Sequence, residues 1–133
     1  MSFRNWTITD VAAHNKKHGG HMSLVPVEKP ADDAVPAGGE KNLHQQIEAE
    51  LNNRRWLFIH SRMDMRTTVA KGVPDFQIYP PGAPAFFIEA KTRTGKLSPE
   101  QMAFKFVADL SGHTVYVCRS IREVKETFEK YEK

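Results

Sequence analysis

The sequence predicts an α/β domain in which helices flank a mixed central sheet, in the order α-β-β-β-α-β-α. Three observations support this prediction. Apolar residues recur at helical spacing in three segments, four short runs are rich in apolar and aromatic residues, and a Pro/Gly turn joins two of these runs. The joined runs predict an antiparallel hairpin inside the sheet.

Regular patterning begins at Glu40, which opens the first predicted helix. The apolar stripe of this helix consists of Leu43, Ile47 and Leu51. Glu40 lies on the same stripe, which is expected to carry it inward. The aromatic run at 56–60 predicts the first strand, and a polar, basic loop follows at 61–74.

Two apolar runs, at 75–79 and 85–91, predict the strands of the hairpin, and the PPGAP segment between them predicts its turn. Asp75 opens the first strand, and Glu89 and Lys91 lie near the end of the second. Because Glu89 and Lys91 are two residues apart, both side chains are expected on one face of the strand.

The C-terminal part predicts a helix, a strand and a last helix. Ser98 as the cap, Pro99 at the first position and Gln101 two positions later form a helix-start signature. The expected buried side of this helix consists of Ala103, Phe106, Val107 and Leu110. The run at 114–118 predicts a buried strand, and SIRE at 120–123 predicts a second capping box. The last helix has an apolar stripe made of Ile121, Val124, Phe128 and Tyr131.

Residues 1–39 contain seven Gly or Pro and no sustained periodicity, which predicts a flexible N-terminal tail or arm ahead of a domain at 40–133. His14, His18 and His21 have a spacing that suggests a metal site. Two intervening glycines break the helix that would align them, so a metal site in the tail is not favoured.

The net charge is +3, and positive charge is concentrated between residues 54 and 96, where eight Lys or Arg accompany three acids. Such a concentration is typical of a surface that binds a polyanion. A solvated loop with scattered charges is the alternative interpretation.

The single cysteine, Cys118, excludes an internal disulfide, and its apolar neighbours predict a buried thiol. No run of about 18 apolar residues is present, as a membrane span requires. The start of the chain lacks the apolar core of a signal peptide. Together these features predict a cytoplasmic location.

The hairpin carries the residues best suited to metal chemistry. Asp75 and Glu89 supply the hard oxygens that Mg²⁺ prefers, and such an ion can activate water for attack on a phosphodiester. Lys91 can reach the water or the phosphate, and the backbone carbonyl of Ala90 can reach the metal. Alternatively, Asp75 is an ordinary turn residue after Pro74, and Glu89 and Lys91 are an exposed pair on an edge strand. Their proximity depends on the register of the hairpin.

The sequence GVPD at 72–75, followed by IEAK at 88–91, resembles the signature of PD-(D/E)XK nucleases. The continuation, with Thr92, GKLS at 95–98 and Gln101, is more narrowly similar to the VRR-NUC branch. The resemblance covers roughly Glu40 to Cys118. It implies a restriction-endonuclease-like fold, dependence on Mg²⁺ or Mn²⁺, and cleavage of DNA. Stand-alone members of this branch resemble Holliday-junction-resolving or structure-selective nucleases that often act as dimers.

By this resemblance, Asp75 and Glu89 would be metal ligands, and Lys91 would be the water-orienting base or an electrophile. Gln101 would be an accessory active-site residue. The capping position of Gln101 gives it an alternative, structural role, and one side chain is not obviously able to serve both.

The branch also uses a glutamate on its first helix. Glu40 fits that position as a further metal ligand, and Glu48 is the alternative, although it is expected to face solvent. His44 lies one turn after Glu40, where it is either beside the site or an ordinary packed or surface histidine.

The basic loop and the residues just after the hairpin are expected to contact nucleic acid. The candidate residues are Arg62, Arg66, Thr67, Thr68, Lys71, Arg93 and Lys96. None has a context that indicates base reading, so recognition of shape and backbone is predicted.

The sequence therefore predicts a Mg²⁺-dependent DNA endonuclease, structure-selective for branched or junction DNA. The alternatives are a non-catalytic nucleic-acid-binding module with the same fold, and a nuclease that acts on RNA. Cutting both strands of a junction symmetrically needs two active sites, which predicts a homodimer. Phe104 is a candidate contact because it lies off the predicted buried side of its helix.

Overall fold

The computed structural model describes Ala13 and residues 33–61 and 71–132. Three helices and four strands lie in the two long ranges, in the predicted order α-β-β-β-α-β-α. They are α1 (Glu40–Arg54), β1 (Leu57–His60), β2 (Phe76–Tyr79), β3 (Phe86–Ala90), α2 (Pro99–Leu110), β4 (Val115–Cys118) and α3 (Ile121–Glu129). Within these ranges, no helix is long and apolar enough to cross a membrane.

The four strands form one mixed sheet in the order β1-β2-β3-β4. The β1–β2 and β2–β3 pairs are antiparallel, and β3 pairs with β4 in parallel. In the hairpin, Phe76 lies opposite Ile88. Continuing this register by one residue sets Asp75 across from Glu89, so the register needed to bring the two carboxylates together is present.

The core lies between the sheet and helices α1 and α3. The fully buried side chains of these helices and of the two hairpin strands form it: Leu43, Ile47, Leu51, Phe76, Ile78, Phe86, Ile88, Val124 and Phe128. Each such side chain contributes roughly 1.5–3 kcal/mol by leaving water. On the other face of the sheet, the ring of Phe104 on α2 meets Phe87 edge-on at 5.3 Å. The buried stripe predicted for α1 is confirmed.

The buried side of α2 differs from the prediction. Leu110 is 54% exposed and Val107 is half-buried, whereas Lys105 and Ala108 are buried. The Lys105 Nζ donates to the carbonyl of Val115 at 3.0 Å, so its ammonium is satisfied inside the protein. An apolar pattern cannot reveal this buried lysine, because its burial depends on an acceptor in strand β4.

The residues just before α1 are attached to the domain. The Val35 N–H donates to the Arg119 carbonyl at 2.7 Å, and the Arg93 N–H donates to the Val35 carbonyl at 2.7 Å. Ala34 is buried, and Asp33 forms an ion pair with Arg122. This short segment thus bridges the chain just after β3 and the chain just after β4.

The segment that leads into β2 passes very close to the start of α2. Gly72 has φ +89°, and a Cβ placed there would lie 2.4 Å from the carbonyl oxygen of Glu100. A larger residue would therefore be strained by its backbone angle and would also clash with the first turn of α2.

We expect Gly72→Ala to destabilise the fold by at least about 2 kcal/mol, because it combines left-handed strain with overpacking. Gly112→Ala is the matched control, since Gly112 has φ +84° but nothing within 4 Å of its Cβ position. That variant should lose only about 1 kcal/mol, the effect of the backbone angle alone. Denaturant unfolding measures both values, and equal losses would contradict a clash at Gly72.

Candidate active site

The end of the hairpin holds Asp75 in place. Asp75 immediately precedes β2, and its Oδ2 accepts a hydrogen bond of 2.8 Å from the backbone N–H of Ala90 at the end of β3. A strand residue directs its N–H and carbonyl to the same side, so the Ala90 carbonyl is also expected on the Asp75 side. The Ala90 methyl group, in contrast, is buried in the core.

Glu89 is a buried carboxylate beside Asp75, only 3% exposed. Its Oε1 accepts a hydrogen bond of 2.9 Å from the Gln101 Nε2 and lies 3.9 Å from the Lys91 Nζ. Lys91 follows β3 directly, and its ammonium is on the same side of the chain as the Glu89 carboxylate, as the two-residue spacing predicts.

Burial, together with the nearby carboxylate of Asp75, raises the pKa of Glu89 to about 9. The ammonium of Lys91 acts in the opposite direction but does not offset these effects. In the metal-free protein Glu89 therefore holds a proton at neutral pH. At neutral pH, a carboxyl group with this pKa is ionised when a bound cation favours its charged form.

Gln101 caps its helix and also contacts Glu89, whereas its role in an active site stays a prediction. Its Oε1 accepts from the Ser98 N–H at 2.8 Å, and its backbone N–H donates to the Ser98 Oγ at 3.1 Å, so the predicted capping box is present. Its amide nitrogen remains free to donate to Glu89. The two roles are compatible because an amide has an acceptor and a donor on different atoms.

Helix α1 brings two more side chains to Asp75. The His44 Nε2 lies 3.4 Å from the Asp75 Oδ2 and 3.9 Å from the Glu40 Oε1. One potential ligand atom from each of Glu40, His44 and Asp75 lies within 4.8 Å of the others. Glu40 thus lies at the predicted place. His44 is also beside the site, which the sequence left undecided between a site residue and an ordinary histidine.

Glu48, the alternative to Glu40, has a different partner. Its Oε1 lies 2.6 Å from the His60 Nδ1, and its side chain is 41% exposed, so Glu48 contacts His60 while it also faces solvent. The polar contact with Asp75 raises the pKa of His44, although burial opposes this effect. The signal that could have singled out His44 is its position one turn after Glu40, which sets it on the same helical face.

The donor set of this region suits a hard divalent cation. Asp75, Glu89 and Glu40 offer carboxylate oxygens, and Ala90 offers a backbone carbonyl. Two observations support the fit. The carboxylate of Glu89 is buried beside that of Asp75 without a full counter-charge, and the buried His44 Nε2 has no hydrogen-bond partner.

Three of the predicted basic residues lie in the described ranges, one before β2 and two on a loop after β3. Lys71, Arg93 and Lys96 are exposed. The loop between Arg93 and Lys96 is held by buried Arg119, which donates to the carbonyls of Thr92 and Gly95. Sequence reasoning missed Arg119, because only its contacts distinguish it from a surface arginine.

Several predicted residues lie outside the described ranges. They are Arg62, Arg66, Thr67 and Thr68 of the basic loop, and His14, His18 and His21 of the N-terminal segment.

A solved structure described as a VRR_NUC domain is similar to this chain, with a TM-score of 0.58. The similarity covers 72% of this chain and 100% of that domain, and the sequences are 22% identical. No protein-family model matches the sequence, and no curated protein does. The likeness confirms the predicted α/β fold as that of a VRR_NUC domain. At this identity it concerns the fold alone.

We expect Glu89→Gln to remove a pH-dependent loss of stability. A folded pKa near 9, above the ordinary value of 4.5, means that Glu89 stabilises the fold most at low pH and loses this contribution as pH rises towards 9. In chelator, the parent should lose about 2 to 4 kcal/mol relative to the variant between pH 5 and pH 8.

Denaturant unfolding at the two pH values measures this difference. Glu126→Gln, at an exposed position on α3, is the control and should follow the parent at both. An unchanged gap between the parent and Glu89→Gln would mean that Glu89 is not buried as a protonated acid.

Proposed function

We propose that this chain is a metal-dependent nuclease that hydrolyses DNA phosphodiesters. One observation carries the proposal: the buried Glu89 carboxylate lies beside Asp75 and Lys91 at the end of the hairpin. A fold gains no stability from burying an acid beside a second carboxylate, since the buried acid must then stay protonated at neutral pH. The same arrangement lets the two acids coordinate a divalent cation. The fold of a VRR_NUC domain agrees with this assignment.

We assign the metal to Asp75, Glu89, Glu40 and the carbonyl of Ala90, with Mg²⁺ as the expected ion and Mn²⁺ as a substitute. When bound, the ion would neutralise phosphoryl charge, activate a water molecule and stabilise the leaving oxygen. The N–H of Ala90 orients the Asp75 carboxylate through its hydrogen bond.

Lys91 and Gln101 act on the other side of Glu89. We propose that the Lys91 ammonium orients the attacking water or contacts a phosphate oxygen, since its Nζ is only 3.9 Å from Glu89. Gln101 fixes the position of the Glu89 carboxylate through its amide donor. Because Gln101 is also part of the helix cap, α2 and the site hold each other in position.

We further propose that the substrate is branched or junction DNA, read through its shape and backbone. The exposed cations Lys71, Arg93 and Lys96 are suited to phosphate contacts. The same role is proposed for Arg62, Arg66, Thr67 and Thr68. We place the protein in the cytoplasm, in accord with the unpaired, buried thiol of Cys118.

Two alternative functions are compatible with the same fold. A non-catalytic binding module would bind nucleic acid with strong salt dependence but would not cut it. A nuclease acting on RNA would cut RNA in preference to DNA. The first is disfavoured because binding alone gives no reason to bury Glu89 beside Asp75 and Lys91.

The decisive experiment incubates the protein with branched, flapped and linear DNA and with RNA, with Mg²⁺ or with chelator. We expect Mg²⁺-dependent cutting of branched DNA, and a loss of at least about a hundredfold in Asp75→Asn and Lys91→Met. Lys125→Ala is the control, because Lys125 lies on α3 and pairs with Glu50 instead of a site residue. Equal cutting by parent and site variants would refute the proposal.

A second pair of variants in this assay separates the two roles of Gln101. Gln101→Glu keeps an acceptor for the Ser98 N–H but removes the donor to Glu89, and cutting should fall by about tenfold or more. Ser98→Ala removes the hydroxyl cap, and so about 1 kcal/mol of stability, but leaves the bond to Glu89 intact. Its cutting should match the parent.

We also propose a homodimer, because symmetric cutting of both strands of a junction needs two active sites. Phe104, the candidate contact, is half-buried against Phe87, so only part of its ring is available to a second copy. Light scattering at the assay concentration should give twice the chain mass of 15.1 kDa. A monomer mass would exclude the dimer.

A further inference from the structure

The His44 Nε2 faces the carboxylates of Asp75 and Glu40 but forms no hydrogen bond of good geometry with either. This nitrogen is buried and, among the described side chains, is one of only two buried polar atoms without a hydrogen-bond partner. A buried polar atom without a hydrogen-bond partner is unfavourable. Such an atom is expected where a ligand completes its interactions.

The distances around this nitrogen fit a shared ligand. Two neighbouring donor atoms on one octahedral ion lie about 3 Å apart, and the separation grows to about 4 Å for opposite donors. The Nε2 lies 3.4 Å from the Asp75 Oδ2 and 3.9 Å from the Glu40 Oε1. An ion among these three atoms would need only small adjustments of the side chains.

The His44 ring is held in its orientation by its neighbours. Its edge meets the ring of Phe76 at 5.6 Å and that of His60 at 5.0 Å, both nearly perpendicular. His60 in turn stacks on Phe76 at 4.2 Å, and its Nδ1 is occupied by Glu48. The nitrogen that faces Asp75 is therefore preorganised, whereas the described contacts of His60 direct it to Glu48.

We propose that His44 is a metal ligand through its Nε2, together with Glu40 and Asp75, and that it biases the site towards a first-row transition ion over Mg²⁺. The inference rests on the proposed function only in requiring that a metal binds here. Imidazole nitrogen is a softer donor than carboxylate oxygen, and transition ions accept it more readily than Mg²⁺ does. His44 would thus raise the affinity for transition ions such as Mn²⁺ relative to that for Mg²⁺, a preference that the carboxylates alone do not confer.

The test uses Mn²⁺ as the probe, without DNA. Pulsed electron paramagnetic resonance of the full chain with Mn²⁺ should show the ¹⁴N coupling of a directly bound imidazole, and the coupling should become that of ¹⁵N when the histidines are ¹⁵N-labelled. In His44→Gln the coupling should be lost. By calorimetry, Mn²⁺ affinity should fall by about tenfold or more, and Mg²⁺ affinity by less.

Two controls test whether the coupled nitrogen belongs to His44 and not to another histidine. His60→Gln and a combined His14→Gln, His18→Gln and His21→Gln variant should both keep the coupling. Thermal unfolding in chelator checks that each variant is folded, and the labelled parent tests the coupling without any substitution.

The outcomes separate this inference from the nuclease proposal. Mn²⁺ binding without nitrogen coupling, coupling that survives in His44→Gln, or equal losses of Mn²⁺ and Mg²⁺ affinity would each overturn the role of His44, while metal-dependent cutting could still stand. Conversely, nitrogen coupling that depends on His44 in a protein that cuts no DNA would support this inference and refute the nuclease.

Discussion

The structure depends on the close approach of two carboxylates, Asp75 and Glu89, at the end of the β2–β3 hairpin. The register that sets Phe76 opposite Ile88 brings them together, and the Ala90 N–H holds Asp75 across the gap. Burial then makes the Glu89 charge unfavourable, which raises its pKa to about 9. The hairpin that forms the centre of the sheet therefore also creates a place that suits a cation.

Three other parts of the fold hold the residues around Asp75 and Glu89 in position. Helix α2 contributes Gln101, whose amide joins the helix cap to Glu89. Helix α1 contributes Glu40 and His44, carried to Asp75 by the stripe that packs in the core. Arg119, just after β4, braces the loop that follows Lys91. Because each support is also part of the packing or capping, the site is expected to be as rigid as the fold.

Much of this could be predicted from the sequence. The order of elements, the buried stripe of α1 and the capping box at Ser98 depend on local periodicity and local hydrogen bonds, which a sequence displays directly. The wrong predictions concern the buried side of α2, where contacts beyond the apolar pattern of the helix determine which side chains are buried. Lys105 is buried because the Val115 carbonyl of β4 accepts a hydrogen bond from its ammonium, and Leu110 is exposed at the end of α2.

The sequence by itself determined the fold class and the acids, lysine and glutamine that form the candidate site, because motif spacing and helix signals are local. Only the tertiary structure decided how they meet. The register sets Asp75 across from Glu89, Gln101 serves both the cap and Glu89, and His44 presents an unpartnered nitrogen to Asp75. The physical reason is that distances across strands, the burial of a charge and the satisfaction of a polar atom depend on groups far apart in the chain.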